Sequence, residues 1–370
     1  MRTYEKTKRS SEREALSMLD NKQVCDIARR TIDNVLGAEN SSYKNTFTIE
    51  YEYEMDRLLF IPLVPTPLVV DEVLNKKLYN ALSFALYPYF TVLAPDGLDI
   101  VETRNSFFHT KRALAFTLRK GIPQRLFFDD YPQQRPNSYG VPIMENYKID
   151  FERETSIGVS GASGTGKSTF VNYLIERLST AGANLVVIDP KSDELSKLAK
   201  QKGLRCMKAA DYNTANDFVN EVNDLLKSYI DLINERQKRY LATGQRDRKR
   251  FYIVIDELIA LIASANKTAA DTLKQQLETI AVIGRASNIA LILIAQDWNV
   301  NASGISTTLR NQISVKVAMG RPSKASLQYL FPDIDSIIVP AGPGTGVISS
   351  NSAMEGRAYP LLAPTVAKAV

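Results

Sequence analysis

The sequence predicts an α/β protein: a mostly parallel central sheet with helices on both sides, preceded by a small α+β domain and an N-terminal helix. Three observations predict it. Beyond residue 151, short runs of branched apolar residues recur without polar alternation: "NLVVIDP" (184–190), "FYIVIDE" (251–257) and "NIALILIAQ" (288–296). Strands buried on both faces read this way, and parallel sheets bury both faces. Helical stretches such as 213–242 separate these runs, which is the rhythm of βαβ units. Before residue 119 the pattern alternates instead, in "NTFTIEYEYE", "FTVLAPDGLDIVET" and "RALAFTLRK", with a helix around 71–87 between them.

Taken in order, residues 1–40 read as an arm followed by a helix. Ser11 and Glu14 fit a capping box. Leu16, Leu19, Val24, Ile27, Ile32 and Val35 recur at roughly helical spacing, and Gly37 offers a stop. Charges nearly balance here, so the helix is read as a docking element. Residues 41–118 form the small α+β domain, in which no chemistry stands out. Residues 119–150, with Pro123, Pro132, Pro136, Pro142, Gly121 and Gly140, read as a connector. The large domain takes 151–362, and 363–370 is a tail.

Composition sets bounds. The 370 residues are enough for one large or two ordinary domains, and at 44% hydrophobic and 24% charged they carry enough apolar mass for a core. A net charge of +5 permits a polyanionic partner without demanding one. The single histidine, His109, excludes a histidine-rich metal site. Cys25 and Cys206 lie far apart and make no CxxC pair, which suits a reducing cytoplasm. The longest apolar stretch, 58–70, carries Pro62, Pro65 and Pro67 and falls short of the roughly 20 residues a membrane helix needs. Any membrane association is therefore expected to come through a partner.

The chemistry begins at "GASGTGKST". Gly161, Ala162, Ser163, Gly164, Thr165, Gly166, Lys167, Ser168 and Thr169 match G-x-x-x-x-G-K-[ST], after an expected strand and before an expected helix at 167–178. Glycines let the backbone wrap a phosphate, and N–H groups at a helix start supply positive potential. Lys167 would reach the β and γ phosphates of ATP, and the Ser168 hydroxyl would ligate Mg²⁺. A second glycine stretch, "GPGTGVIS" (342–349), has valine where the lysine should be and reads as a turn before an edge strand.

Asp256 and Glu257 end an apolar strand, which is expected to lie beside the phosphate-loop strand. Asp256 would hold Mg²⁺, mostly through water, and Glu257 would orient the attacking water. Just upstream, "LATGQRDR" superficially matches the signature of ABC transporter ATPases. The stretch to Asp256 leaves no room for the helix that signature must precede, and no histidine follows the strand. It reads instead as the end of a long helix and a basic turn.

Five motifs in order resemble the motor domain of FtsK/SpoIIIE-type DNA translocases, within the HerA–FtsK group of RecA-like ATPases. They are "GVSGASGTGKST", "VVIDPKSDEL" (186–195), "NERQKRYLATGQRDRKRFYIVIDELIALI" (234–262), "GRASNIALILIAQ" (284–296) and "LRNQISVKVAMGRPSKASLQYLF" (309–331). The resemblance spans about 155–350 and implies a RecA-like P-loop fold. It implies that Arg285 enters the neighbouring subunit's ATP site, where a second cation stabilises a loose phosphoryl transition state. A surface arginine at a helix end is the plainer reading. It implies that Gln296 senses γ-phosphate, against a simple strand-end amide. It places Lys324, with Arg321 nearby, on DNA in a central pore, against a solvated basic turn. Two positions depart from the family: Asp297 stands for a basic residue and Lys316 for an arginine.

The resemblance implies an ATP- and Mg²⁺-dependent DNA translocase, double-stranded DNA being the favoured substrate. Subunits would form a ring, a hexamer in the family, with pore loops near 297–308 and 320–326. With few residues after 362, the family's DNA-reading winged-helix domain is not expected, and sequence-directed movement is not expected with it. The short form is similar to motors of plasmids and integrative mobile elements that serve conjugative transfer. Two rivals stay open: a coupling or adaptor ATPase that binds a relaxase or membrane channel, and a nucleotide switch with negligible turnover.

Overall fold

The computed structural model describes residues 19–366 apart from 64–67, 96, 104–111, 129–138, 297, 299–304, 322, 333, 335–336 and 354–355. The chain forms two compact units, Met1–Ile122 and Pro123–Val370.

In the first unit, Asp20 caps helix α1 (Asn21–Glu39): its carboxylate accepts from the Gln23 N–H at 2.7 Å, and the Gln23 side chain accepts from the Asp20 N–H at 2.9 Å. The expected cap, Ser11 with Glu14, lies outside the described residues, as does Leu16. The buried stripe is Val24, Ala28, Ile32 and Leu36. Leu36 takes the place expected for Val35 because a four-residue step keeps one face inward. The helix also runs past Gly37 to Glu39, with Asn40 as its cap.

Strands β1 (Phe47–Glu52) and β2 (Arg57–Pro62) are followed by helix α2 (Glu72–Ala85), β3 (Phe90–Val92), β4 (Ile100–Glu102) and β5 (Arg112–Lys120). They pair antiparallel in the order β1-β2-β5-β3, and β4 also pairs with β5. Helices α1 and α2 pack on each other and α1 on β1. Leu59, Ile61, Ala113 and Ala115 form one cluster in its core.

The second unit begins inside the stretch expected as a connector. Strands β6 (Phe127–Phe128), β7 (Gly140–Met144) and β8 (Tyr147–Asp150) lie there, and β7 and β8 form an antiparallel hairpin. Val141, Ile143, Tyr147 and Ile149 are buried, and the Tyr173 hydroxyl donates to the Pro142 carbonyl at 2.5 Å. The expected tail contributes β17 (Thr365–Val366), parallel to β6.

The central elements follow in order. They are β9 (Ile157–Gly161), α3 (Lys167–Thr180), β10 (Asn184–Asp189), α4 (Glu194–Gln201), β11 (Arg205–Lys208), α5 (Ala215–Thr243), β12 (Phe251–Ile255), α6 (Leu258–Ala263) and α7 (Lys267–Ile283). After them come β13 (Ile289–Ala295), α8 (Thr307–Asn311), β14 (Val315–Met319), α9 (Lys324–Leu327), β15 (Thr345–Ser350) and β16 (Tyr359–Leu362). The sheet order is β11-β10-β12-β13-β9-β14-β15-β16, parallel except where β15 and β16 join. Every residue of β13 is buried, as a strand covered on both faces should be. The fold is α/β with a mostly parallel sheet, preceded by an antiparallel sheet and a helix, as expected.

Two expectations about neighbours are corrected. The carboxylate strand β12 does not lie beside the phosphate-loop strand β9. Strand β13 separates them, with Ile255 opposite Leu293 and Ala295 opposite Ser160. Strand β15 is not an edge strand either, since β14 and β16 pair on its two sides. The stretch "LATGQRDR" is a helix end and turn: Gly244, at φ 68°, caps α5 by donating its N–H to the Tyr240 carbonyl at 2.7 Å.

Candidate nucleotide site

Because the strands from β11 to β14 run parallel, the loops after β9, β10, β12, β13 and β14 all open at one edge of the sheet. The phosphate loop is one of them. Strand β9 ends at Gly161 and α3 starts at Lys167, with Gly166 at the N-cap and no side-chain hydrogen bond there. Gly166 has φ 98°, a backbone conformation that requires glycine, and a Cβ on it would touch the Gly344 Cα at 3.4 Å. The "GPGTG" stretch, which lacks the lysine, thus forms a turn pressed against the phosphate loop. A helix start without a side-chain cap presents N–H groups and the positive end of its dipole to an anion.

Lys167 is buried, and its ammonium donates to the carbonyl of Ala162 at 3.1 Å and to that of Gly161. Burial lowers its pKa; Glu257 and Asp256 oppose that, and the charge of Lys191 adds to it. Ala162, Ser163, Gly164, Ser168 and Thr169 are exposed at the loop, with Gly161, Thr165 and Gly166 half-buried.

Asp256 follows β12, and its N–H donates to the Ile188 carbonyl at 3.0 Å. Glu257 takes a left-handed backbone conformation, φ 46° and ψ 56°, as the N-cap of α6. Strain of this kind in a non-glycine residue is costly and gathers at functional sites. It turns the chain from strand to helix within one residue. The Glu257 Oε1 accepts from the Lys191 ammonium at 3.0 Å and from the Gln296 amide at 3.3 Å. The inserted strand β13 is what places Gln296 there, since it ends between the phosphate loop and the two carboxylates.

Burial first, then the charges of Asp189 and Glu257, push Asp256 from its ordinary 3.8 up to about 6; the Glu257 N–H and Lys191 draw it partly back. The folded chain therefore binds this proton more tightly than the unfolded chain. The cost of ionising Asp256 in place is absent below 3.8 and complete above about 6. Asp256→Asn is thus expected to stabilise the fold at pH 8 by on the order of 2 kcal/mol, with the gain gone at about pH 4. Denaturant unfolding of both proteins in EDTA at the two pH values checks this.

Among the described residues no three His, Cys, Asp or Glu side chains gather as a metal cage. The donors instead suit an ion that keeps its waters and takes one carboxylate, one hydroxyl and phosphate oxygens, as Mg²⁺ does. Asp256 lies close enough to Asp189 and Glu257 for their charges to disfavour its own, so a divalent cation fits there. Ser168 and Asp256 would hold it, and it would neutralise phosphate charge.

Asp189 and Lys191 belong to this site and were assigned no role from the sequence, although "VVIDPKSDEL" contains them. Asp189 is fully buried and accepts from the N–H groups of Lys191, Ser192, Asp193 and Ser196 at 2.8–3.1 Å and from the Ser196 hydroxyl at 2.5 Å. An acidic residue ending an apolar strand before a lysine was the available signal.

The remaining expected residues lie apart from this cluster. Arg321 and Lys324 are exposed after β14, on the same edge as the phosphate loop, because Met319 pairs with Gly161. Asp297 and most of the expected loop 297–308 fall outside the described residues. Arg285 sits on the opposite edge, exposed in a 3-10 turn, Gly284–Ser287, that leads into β13. A strand of that length spans roughly 20 Å, so Arg285 cannot reach its own phosphate loop. The turn is firmly held. A Cβ on Gly284 would clash with the Ile289 carbonyl at 2.4 Å, and the buried Arg236 donates to the carbonyls of Ser287 at 2.6 Å and Lys249 at 2.8 Å. Arg285 lines a polar cavity of about 290 Å³ with Arg153, Glu154, Gln312 and Ser352 among others.

Comparison with known proteins agrees with this geometry. Residues 146–288 match the family described as "Helicase HerA, central domain". The FtsK domain-containing protein YdcQ of Bacillus subtilis is 21% identical over 223 residues, covering 58% of this chain and 45% of that protein. The DNA translocase FtsK of Borreliella burgdorferi is 27% identical over 248 residues, covering 62% of this chain and 30% of that protein. This chain thus spans less than half of either relative. Among solved structures, the pCW3 conjugation coupling protein TcpA matches with a TM-score of 0.53 at 17% identity, over 91% of this chain and 94% of that one. EssC (ATPases 2 and 3) from Geobacillus thermodenitrificans matches with a TM-score of 0.50 at 18% identity, over 66% and 48%. Phosphate loop, carboxylate strand, strand order and family match together identify the larger unit as a P-loop ATPase domain of the FtsK/HerA type.

Proposed function

We propose that this chain is an ATP-driven DNA translocase that works as a ring, with ATP hydrolysed between subunits. The observation that carries the reading is the division of the expected catalytic groups across one sheet. Lys167, Asp256, Glu257 and Gln296 lie at one edge and Arg285 at the other. An arginine that cannot serve its own site but belongs to a hydrolytic pattern serves a neighbour. Contacts of that kind are head-to-tail and form a ring where the rotation closes, a hexamer being the form suggested by the resemblance. In this reading Lys167 binds the β and γ phosphates, Ser168 and Asp256 hold Mg²⁺, Glu257 positions water, and Gln296 senses γ-phosphate. Arg321 and Lys324 face DNA phosphates, which any exposed cation on a loop can contact.

The DNA part is supported by the relatives named DNA translocase FtsK. No helix among the described residues is long and apolar enough to cross a membrane. We place the protein in the cytoplasm, moving double-stranded DNA during transfer of a mobile element, held at the membrane by a partner where needed. A second reading, an adaptor ATPase whose target is a relaxase or channel, is favoured by the likeness to a conjugation coupling protein, which extends over both units.

The test is ATP hydrolysis with and without long double-stranded DNA, beside Lys167→Ala. The reading predicts stimulation of about tenfold or more that the substitution abolishes, which is the size of a modest change in barrier. Turnover indifferent to DNA would favour the adaptor.

A further inference from the structure

We propose that Lys191 is a second γ-phosphate ligand of this site, one that exchanges between Glu257 and the terminal phosphate of ATP and so tells ATP from ADP. The inference rests on the reading of the site as one that binds and hydrolyses ATP.

The argument begins with the strand order. Moving along the sheet from the phosphate loop, the loop ends carry Lys167, then Gln296, then Asp256 and Glu257, then Asp189 and Lys191. Lys191 comes from the far side of the carboxylates and reaches back over them. Its ammonium lies 3.0 Å from the Glu257 Oε1, the same oxygen that accepts from Gln296 at 3.3 Å. Two donors therefore converge on one oxygen of the group expected to position water.

The backbone of Lys191 is fixed while its side chain is not. Its N–H is one of five donors on the buried Asp189, and Ser192 beside it sits at φ 57°. The side chain is half-exposed, and a lysine stem carries its charge on rotatable bonds. The ammonium also lies close enough to that of Lys167 for the two to repel. Lys167 is the residue that the phosphate loop assigns to the β and γ phosphates, so Lys191 stands within electrostatic reach of where the γ-phosphate would sit.

A γ-phosphate would compete with Glu257 for this cation, and its greater charge favours the phosphate. Once Lys191 turns to it, Glu257 keeps the amide of Gln296 and regains lone pairs for water. ADP ends at the β-phosphate, which Lys167 and the loop N–H groups already serve, so the lysine would stay on Glu257. No covalent step is involved.

Nucleotide affinity of the full-length protein tests this, measured by displacement of N-methylanthraniloyl-ADP with ATPγS and with ADP in Mg²⁺. Lys191→Met and Lys191→Arg are compared with the unaltered protein, and Lys167→Ala defines specific binding. The expected result for Lys191→Met is ATPγS binding weakened about tenfold or more, the scale of one charged hydrogen bond, with ADP binding within about twofold. Lys191→Arg should recover most of the loss. Equal losses for both nucleotides, or unchanged ATPγS affinity in a variant that unfolds at the unaltered temperature, would overturn the proposal. Absence of saturable binding by the unaltered protein would overturn the reading of the site itself, and the role of Lys191 with it.

Discussion

Glu257→Gln is expected to bind ATP within about threefold of the unaltered protein and to hydrolyse it on the order of a thousandfold more slowly. The amide has nearly the carboxylate's shape and still offers an oxygen to Lys191 and Gln296, so the contacts at 3.0 and 3.3 Å have a counterpart. The left-handed backbone at φ 46° is unaffected, because it depends on the turn and not on the side-chain charge. What is lost is a group able to take a proton from water, worth about 10²–10⁴ in rate. Removing the Glu257 charge also relieves one of the causes that hold Asp256 above its ordinary range. Single-turnover hydrolysis together with equilibrium nucleotide binding separates the two effects. A rate within tenfold of the unaltered protein would remove Glu257 from its assigned place.

Arg285→Ala is expected to lower turnover by about 10³-fold, the range seen when an arginine that stabilises phosphoryl-transfer charge is removed. Nucleotide affinity should hardly change, since every group at the phosphate loop is intact and Arg285 lies at the other edge of the sheet. The side chain is exposed, so the fold should tolerate its loss. The decisive form of the experiment mixes Arg285→Ala with Lys167→Ala, each inactive alone. In a mixed ring, one kind of interface pairs an intact phosphate loop with an intact arginine. Turnover regained on mixing therefore marks action between subunits, and a mixture as inactive as its components would contradict it.

Most of the second unit was legible because its signals are local. A run such as Ile289–Ala295, short, apolar at every position and rich in branched side chains, suits a strand covered on both faces, and it is one. The phosphate loop is an eight-position pattern with its own backbone demands, and "LATGQRDR" reads as the helix end that Gly244 caps. What sequence could not supply was pairing. Nothing in β12 or β13 states which of them borders β9, because all three are similar apolar runs. The order is decided by helix packing over long separations. The same holds for β15, flanked by partners from both directions, and for β17, which finds β6 across most of the chain.

The site was legible in part for the same reason. Lys167, Ser168, Asp256 and Glu257 stand out by motif. The resemblance gave Gln296 a γ-phosphate role, and the placement of β13 between the loop and the carboxylates is what brings its amide onto Glu257. Lys191 went unassigned because a lysine in a loop is ordinarily solvated, and only the pairing of β10 with β12 brings it onto Glu257.

The central claim is that ATP hydrolysis between subunits moves the protein along duplex DNA. The most direct measurement is displacement of a labelled third strand from a triplex at one end of a linear duplex. The account predicts ATP-dependent release that is absent with ATPγS and with Glu257→Gln, and a delay that grows with the distance from the loading end. Release at equal rates with ATP and ATPγS, or no release under conditions where DNA stimulates hydrolysis, would contradict it.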